Sequence, residues 1–280
     1  MSDNELVAFI RRALQEDTGS GDHSSLASVA HDAKGRARLL IKDKGIIAGI
    51  RVAKEVFYLK DPDLCIDILV QDGARADHGM IAFTVEGREQ SILGAERLVL
   101  NIMQRMSGIA TATAEYVEKV SGTRAKITDT RKTTPGMRFL EKEAVRIGGG
   151  VNHRMGLYDM IMLKDNHVDY AGGIVPAITR TKEYLVRNNL NLKIEVEARN
   201  LKEVNEILTC GGVDRIMLDN FTIPMTKEAV SVINGVVETE SSGGITIENV
   251  RDYALCGVDF ISIGALTHHI ESLDMSLKAF

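Results

Sequence analysis

Apolar positions in residues 1–16 recur at helical spacing, and the Gly/Ser-rich stretch GSGDHSSL ends that helix in a turn. Short apolar runs bounded by turn signals follow in RARLLIKDKGIIAGI, LCIDILVQDG and MIAFTVEG, with a helix, GIRVAKEVFYLK, between the first two. This rhythm predicts a small α+β unit built on an antiparallel sheet. From about Ser91 to Val120 the period becomes that of one long helix, with Leu93, Val99, Leu100, Met103 and Met106 on one face. The domain boundary is placed on that helix. Residues 1–108 then form an N-terminal α/β sandwich domain and 109–280 a catalytic α/β barrel, whose last helix is expected to pack back on the N-terminal domain.

After Gly122 the pattern turns regular. Apolar runs at AKIT, DMIML, LKIEV, RIMLD, GVVET and DFISI alternate, from the second onward, with the helical segments GIVPAITRTKEYLVRN, NLKEVNEILTCG, MTKEAVSVIN and TIENVRDYALCG. Such spacing is that of βα units, so the strands are read as parallel and joined by crossover helices. Only six strands are evident, which predicts an open, incomplete TIM-like α/β barrel. Gly148, Gly149 and Gly150 are open to two readings, a hinge or a helix C-terminus.

Composition narrows the class. The chain has 280 residues, 44% of them hydrophobic and 26% charged, as in an ordinary globular protein. No apolar run approaches the ~18 residues of a membrane span. The first residues mix acids and bases on an amphipathic helix, unlike a secretory signal. Cys65, Cys210 and Cys256 are widely spaced, which argues against a disulfide framework or zinc site and for a reducing cytoplasm. The net charge of −5 gives no reason to expect nucleic-acid binding. Yet Arg124–His167 carries nine Lys/Arg against five Asp/Glu. A cationic segment in an acidic chain suggests a pocket for a small anion, and a solvated basic face is the plain alternative.

The candidate chemistry lies where the strands end. They stop at Asp129-Thr130-Arg131-Lys132, Lys164-Asp165-Asn166-His167, Glu195-Val196-Glu197, Asp219-Asn220, Glu240-Ser241-Ser242-Gly243-Gly244 and Gly264-Ala265. In an α/β barrel these ends meet on one face, where active sites lie. Ser242-Gly243-Gly244 is expected to open a helix near Thr246 and, with Gly264, to form a phosphate site from backbone N–H groups. Glu197 and Asp219, on adjacent strands, would handle Mg²⁺, with Glu195 as second choice; a salt bridge to Lys or Arg is the structural alternative. Arg131, Lys132, His153, Arg154 and Lys164 would repel one another unless a multiply charged anion binds among them.

In this order these residues resemble the quinolinate phosphoribosyltransferase family. The matching segments are GDHSS, ERLVLNIMQRMSGIAT, TDTRKTTPGMR, GGGVNHRMGLYDMIMLKDNH, IEVE, IMLDN, ESSGG and SIGALTHH, and they cover nearly the whole chain. The resemblance implies transfer of a phosphoribosyl group from phosphoribosyl pyrophosphate to quinolinate with loss of CO₂. The products are nicotinate mononucleotide and pyrophosphate, and Mg²⁺ is required. It implies homodimers, sometimes assembled further into hexamers, with each active site shared across the interface. Arg131, His153, Arg154 and Lys164 would bind the two carboxylates and phosphoribosyl pyrophosphate, with Thr130 beside them and Lys132 on phosphate. Arg97, in ERLVLN, would reach in from the partner subunit. Glu197 and Asp219 would face ribose and the Mg²⁺-pyrophosphate, meeting the metal through pyrophosphate or water. Ser242, Gly243 and Gly264 would hold the 5-phosphate. Lys132, Lys164, Glu197 and Asp219 form the catalytic set. Three other readings stay open at this stage: a nicotinate phosphoribosyltransferase-like relative, a Schiff-base aldolase using Lys164, and a non-catalytic homologue associated with molybdenum transport.

Overall fold

The computed structural model describes residues 3–280 and divides them into two compact units. The first comprises residues up to Ala114 together with Thr133–Gly149 and Thr267–Phe280, and the second comprises Glu115–Lys132 and Gly150–Leu266. A single cut between residues 108 and 109 therefore does not separate these two units, because the chain returns twice to the first.

The N-terminal part of the first unit carries strands β1 (Lys34–Ile41), β2 (Gly45–Ile46), β3 (Cys65–Ile68), β4 (Arg75–Ala76) and β5 (Ile81–Arg88). Exposed Arg36 and Arg38 alternate with buried Ala37, Leu39 and Ile41, the two-residue period of a sheet with one covered face. Register aligns Ala37 with Val85 and Leu39 with Phe83 on β5. The helix Ile50–Lys60 buries Val52, Ala53, Val56 and Phe57, and Phe57 meets Phe83 edge-on with ring centroids 5.9 Å apart. Gly49 lacks a side chain to cap this helix, so the Asp72 carboxylate accepts the Ile50 amide at 2.9 Å instead.

The C-terminal segment differs from the expectation of a helix. Met275–Ala279 is a strand, antiparallel to β1, with Met275 opposite Ile41 and Leu277 opposite Leu39. Met, Leu, Lys and Ala favour helix locally, but alternation at 275, 277 and 279 matches the open edge of β1, and pairing overrides propensity. The same tail is tied to the long helix Glu89–Lys119: the Leu273 amide donates to the Gln104 carbonyl and the Gln104 side-chain amide to the Met275 carbonyl, each at 3.0 Å. The glycines at 148–150 end the helix Arg138–Ile147, whose last turn is closed by the Gly148 amide donating to Ala144. Gly149 takes the left-handed φ of 90°.

The second unit contains β6 (Lys126–Thr128), β7 (Ile161–Leu163), β8 (Ile194–Ala198), β9 (Arg215–Asp219), β10 (Glu238–Ser242) and β11 (Phe260–Ser262). They form one parallel sheet in the order β6-β11-β10-β9-β8-β7, and β6 and β7 do not pair, so the barrel is open as expected. An isolated parallel bridge from Thr128 to Val151 extends the β6 edge. Residues in register point to the same side. One side therefore collects Ile127, Ile194, Val196, Ile216, Leu218 and Ile261, all buried. The other collects Glu195, Glu197, Arg215, Asp219, Glu238, Glu240, Ser242 and Ser262. One expectation fails here. The helix after β10 begins at Val250, not near Thr246, because Asn249 accepts the Thr246 amide at 2.8 Å and holds residues 246–249 in a turn.

Gly108, in the middle of Glu89–Lys119, tests the packing against the tail. In an exposed helix Gly→Ala would stabilise by about 0.5–1 kcal/mol. Here a Cβ would run into the backbone carbonyl of Glu271, which has little room to move. Gly108→Ala should instead destabilise by about 1–3 kcal/mol, seen as a lower melting temperature. An unchanged or higher value would contradict the packing.

Candidate active site

The strand-end residues are held by local hydrogen bonds that follow from their neighbours in sequence. Beyond β6, the Thr130 hydroxyl accepts the Lys132 amide at 3.1 Å, curling Arg131 and the exposed Lys132 into a turn. Asp129 is fully buried; its carboxylate accepts the His153 amide at 2.9 Å and also bonds the Asn152 side chain, which ties residues 152–154 to the end of β6. Arg154 follows, buried, with one guanidinium nitrogen donating to the Met160 carbonyl at 3.1 Å. At the end of β7, Lys164 Nζ lies 3.1 Å from Glu197 Oε2 on β8. At the end of β9, Asn220 has a left-handed φ of 54°, donates its side-chain amide to Asp219 at 2.6 Å, and donates its backbone N–H to the Ser242 carbonyl at 2.8 Å. Gly243 has φ 91°, and any Cβ there would enter the space of the Asn220 side chain and amide. Glycine is thus required for the two loops to close on each other. Gly264 follows β11 on the same sheet.

Two features leave positive charge incompletely balanced at this end of the sheet. The Arg131 Nε–H is buried and has no hydrogen-bond partner among the described residues. Burial pushes the Arg154 guanidinium below its usual range, and the charge of Arg131 pushes it further, while Glu195 and Asp159 pull the other way. A buried donor without an acceptor beside a second, repelling guanidinium is unfavourable until an anion arrives. The Ser242–Gly243–Gly244 loop contributes backbone and a hydroxyl, but no helix N-terminus stands directly behind it.

Beneath the cations lies a buried network that the strand-end reading missed. His153 Nε2 is 2.9 Å from Glu195 Oε2 and 3.4 Å from Glu240 Oε2, with both carboxylates fully buried. Glu240 is also 2.8 Å from Arg215, whose other nitrogen lies 3.1 Å from Glu238 and whose guanidinium stacks 3.7 Å from the centre of the Phe260 ring. Glu195, the second choice for the metal, is thus engaged with His153 instead. The signal was present: Glu195 and Arg215 interrupt mostly apolar strands, and Glu238 and Glu240 stand at alternate positions, so the in-register acids and the arginine share one face. His153, Glu195 and Glu240 make up the one grouping of three possible metal ligands among the described residues. Since Arg215 already holds Glu240, and the spacings are those of ion pairs, the network is self-balanced without a metal. Arg97 lies in the first unit, exposed on the helix Glu89–Lys119.

Comparison with known proteins gives a consistent result. The model of the quinolinate phosphoribosyl transferase N-terminal domain matches residues 22–107, and that of the C-terminal domain matches 109–278. The chain is 46% identical to a chloroplastic nicotinate-nucleotide pyrophosphorylase [carboxylating] of Arabidopsis thaliana, over 98% of this chain and 82% of that one. It is 38% identical to a probable nicotinate-nucleotide pyrophosphorylase [carboxylating] of Bacillus subtilis, over 99% and 94% respectively. The crystal structure of NadC from Streptococcus pyogenes superposes with a TM-score of 0.94 at 38% identity, covering 99% of this chain and 97% of that one.

The His153 network has a testable titration. Burial opposes protonation of the ring, and the Arg154 amide, 2.7 Å from Nδ1, favours a lone pair there. Two carboxylates at the opposite edge raise His153 to about 9 from the usual 6.5. A group raised in this way contributes stability that is complete below about 6.5 and lost as pH rises through about 9. The ring signals of His153 in NMR should titrate with a midpoint near 9; a midpoint near 6.5 would contradict the network.

Proposed function

Since the chain belongs to the quinolinate phosphoribosyltransferase family, we propose that the cationic strand ends of its second unit grip quinolinate by both carboxylates, while the acidic and glycine ends beside them take phosphoribosyl pyrophosphate. The reaction of the family is phosphoribosyl transfer to quinolinate with decarboxylation, in de novo NAD biosynthesis. The observation that carries the assignment of residues is the buried Arg131 Nε–H, which has no partner among the described residues and lies beside a second guanidinium. Two forked cations with His153 and Lys164 suit a planar dicarboxylate better than a monocarboxylate such as nicotinate. Lys164, ion-paired to Glu197, serves as a fixed ammonium rather than as an aldolase nucleophile.

The pyridine nitrogen attacks the anomeric carbon as the bond to pyrophosphate breaks, and the electron pair of that bond leaves with pyrophosphate. The resulting pyridinium withdraws electrons, so the adjacent carboxylate departs as CO₂ and the ring carbon it leaves takes up a proton. Arg131 and Arg154 hold the ring in place for the attack, Thr130 and Lys132 flank the phosphates, and Ser242, Gly243 and Gly264 anchor the 5-phosphate. Positioning and charge are enough for this chemistry. Glu197 and Asp219 end adjacent strands and offer only oxygen donors, and Glu197 is already shared with Lys164. That set fits a hard cation which keeps water and phosphate oxygens in its shell, as Mg²⁺ does. When bound, Mg²⁺ would supply positive charge to the departing pyrophosphate.

The reading extends to assembly. A homodimer, alone or within a hexamer, would complete each site with Arg97 of the partner subunit; exposure of Arg97 on its helix is compatible with that role. The cytoplasm is the proposed location. The three cysteines are free, and no helix of the described residues is long and apolar enough to cross a membrane.

The assay is formation of nicotinate mononucleotide and CO₂ from quinolinate, phosphoribosyl pyrophosphate and Mg²⁺. Arg154→Lys keeps the charge but loses the fork, so KM for quinolinate should rise roughly tenfold or more. A wild-type KM would remove Arg154 from the pocket. For assembly, Arg97→Ala and Lys164→Ala should each be inactive. Co-refolded in equal amounts, half the dimers are mixed and half of their sites are whole, so about one quarter of wild-type activity should return. Proven mixed dimers without activity would exclude a shared site.

A further inference from the structure

The inward face of the second unit holds more charge than the substrates need. Glu195 and Glu240 are fully buried, and the Arg215 side chain is 12% exposed. Both oxygens of Glu195 and Oε1 of Glu240 lack a geometrically formed hydrogen bond within the described residues. Apolar side chains of similar volume would often fill such a space at lower cost in free energy. Its geometry indicates what the arrangement supports. Arg215, stacked on Phe260 and braced by Glu238, holds Glu240; Glu240 and Glu195 then grip the Nε2 edge of His153 from two strands. The far edge of that ring, Nδ1, lies 2.7 Å from the backbone nitrogen of Arg154. The orientation of the imidazole thus bears directly on where the Arg154 side chain starts. Glu195 also attracts the Arg154 guanidinium against the repulsion of Arg131.

We infer that Glu195, Glu240 and Arg215 are positioning residues, which act through His153 to set Arg154 for the pyridine dicarboxylate. This rests on the reading that His153 and Arg154 meet quinolinate. A sign argument separates positioning from mere background charge. At a pH well below 6.5, where His153 keeps its proton with or without the carboxylate, removing an acid near a site for a dianion should tighten binding if the acid acts only as a charge, because repulsion falls. Loss of positioning should weaken binding instead.

The test uses Glu195→Gln, Glu240→Gln and the double variant Glu240→Gln/Arg215→Met in the full-length enzyme, with KM measured for each substrate and melting temperature recorded. The expected result is a KM for quinolinate raised about tenfold, the scale of one charge-assisted hydrogen bond, with KM for phosphoribosyl pyrophosphate within about twofold of wild type. The double variant leaves no unpaired buried guanidinium, so it should recover melting temperature lost by Glu240→Gln while KM for quinolinate stays raised. It also keeps the test valid if a single variant does not fold. A quinolinate KM that is unchanged or lowered, or one that returns to wild type with stability in the double variant, would overturn the inference. Arg154→Lys is the control. If it raises KM for quinolinate and the glutamate variants do not, only the positioning role fails. If it too leaves KM at wild type, the pocket assignment fails and the inference with it.

Discussion

Like charges confined to a small volume repel, and the second unit of this chain carries Arg131, His153, Arg154 and Lys164 at one end of a single sheet. The remaining features of that unit are arranged around this repulsion. Each cation but one has an acid or a carbonyl from the protein to meet: Lys164 has Glu197, His153 has Glu195 and Glu240, and Arg154 has the Met160 carbonyl. The buried Nε–H of Arg131 has no hydrogen-bond partner among the described residues, which leaves it the donor with most to gain from an acceptor.

The parallel sheet makes this balance possible. In-register strands send alternate residues to the same side, so one face is mostly aliphatic, with Thr239 and Ser241 among its side chains, while the other carries acids, an arginine and hydroxyls. The charges stand in two tiers. Deeper in the strands, Glu195 and Glu240 meet the Nε2 edge of His153 and Arg215 holds Glu240; Glu197, Asp219 and the glycine loops lie at the strand ends. A reaction that passes through a pyridinium and loses CO₂ needs little covalent help from a protein. It needs a rigid charge pattern, and buried ion pairs on strands supply rigidity better than loops do.

The order of elements and the strand-end residues were legible in the chain, because apolar runs of strand length separated by helical segments have few other readings. Partnerships across strands were not. Whether Glu195 faces Mg²⁺ or His153 depends on register and on the path of residues 151–154, and neither is encoded in the period of β8 alone. The strand at the C-terminal tail is hidden for a related reason. Met275–Ala279 is a good helix by composition and becomes a strand because β1 offers it an edge far away in sequence. The helix after Gly244 starts late because a single side chain, Asn249, captures the Thr246 amide. Such local competition between side chain and backbone is invisible to periodicity.

The central claim is that the cations at the strand ends form a site for two carboxylates. Titration calorimetry of the wild-type enzyme with quinolinate and with nicotinate tests it most directly, since the two rings differ by one carboxylate. The account predicts that quinolinate binds at least roughly tenfold more tightly, the worth of one further charge-assisted contact. Equal affinities for the two ligands would contradict it.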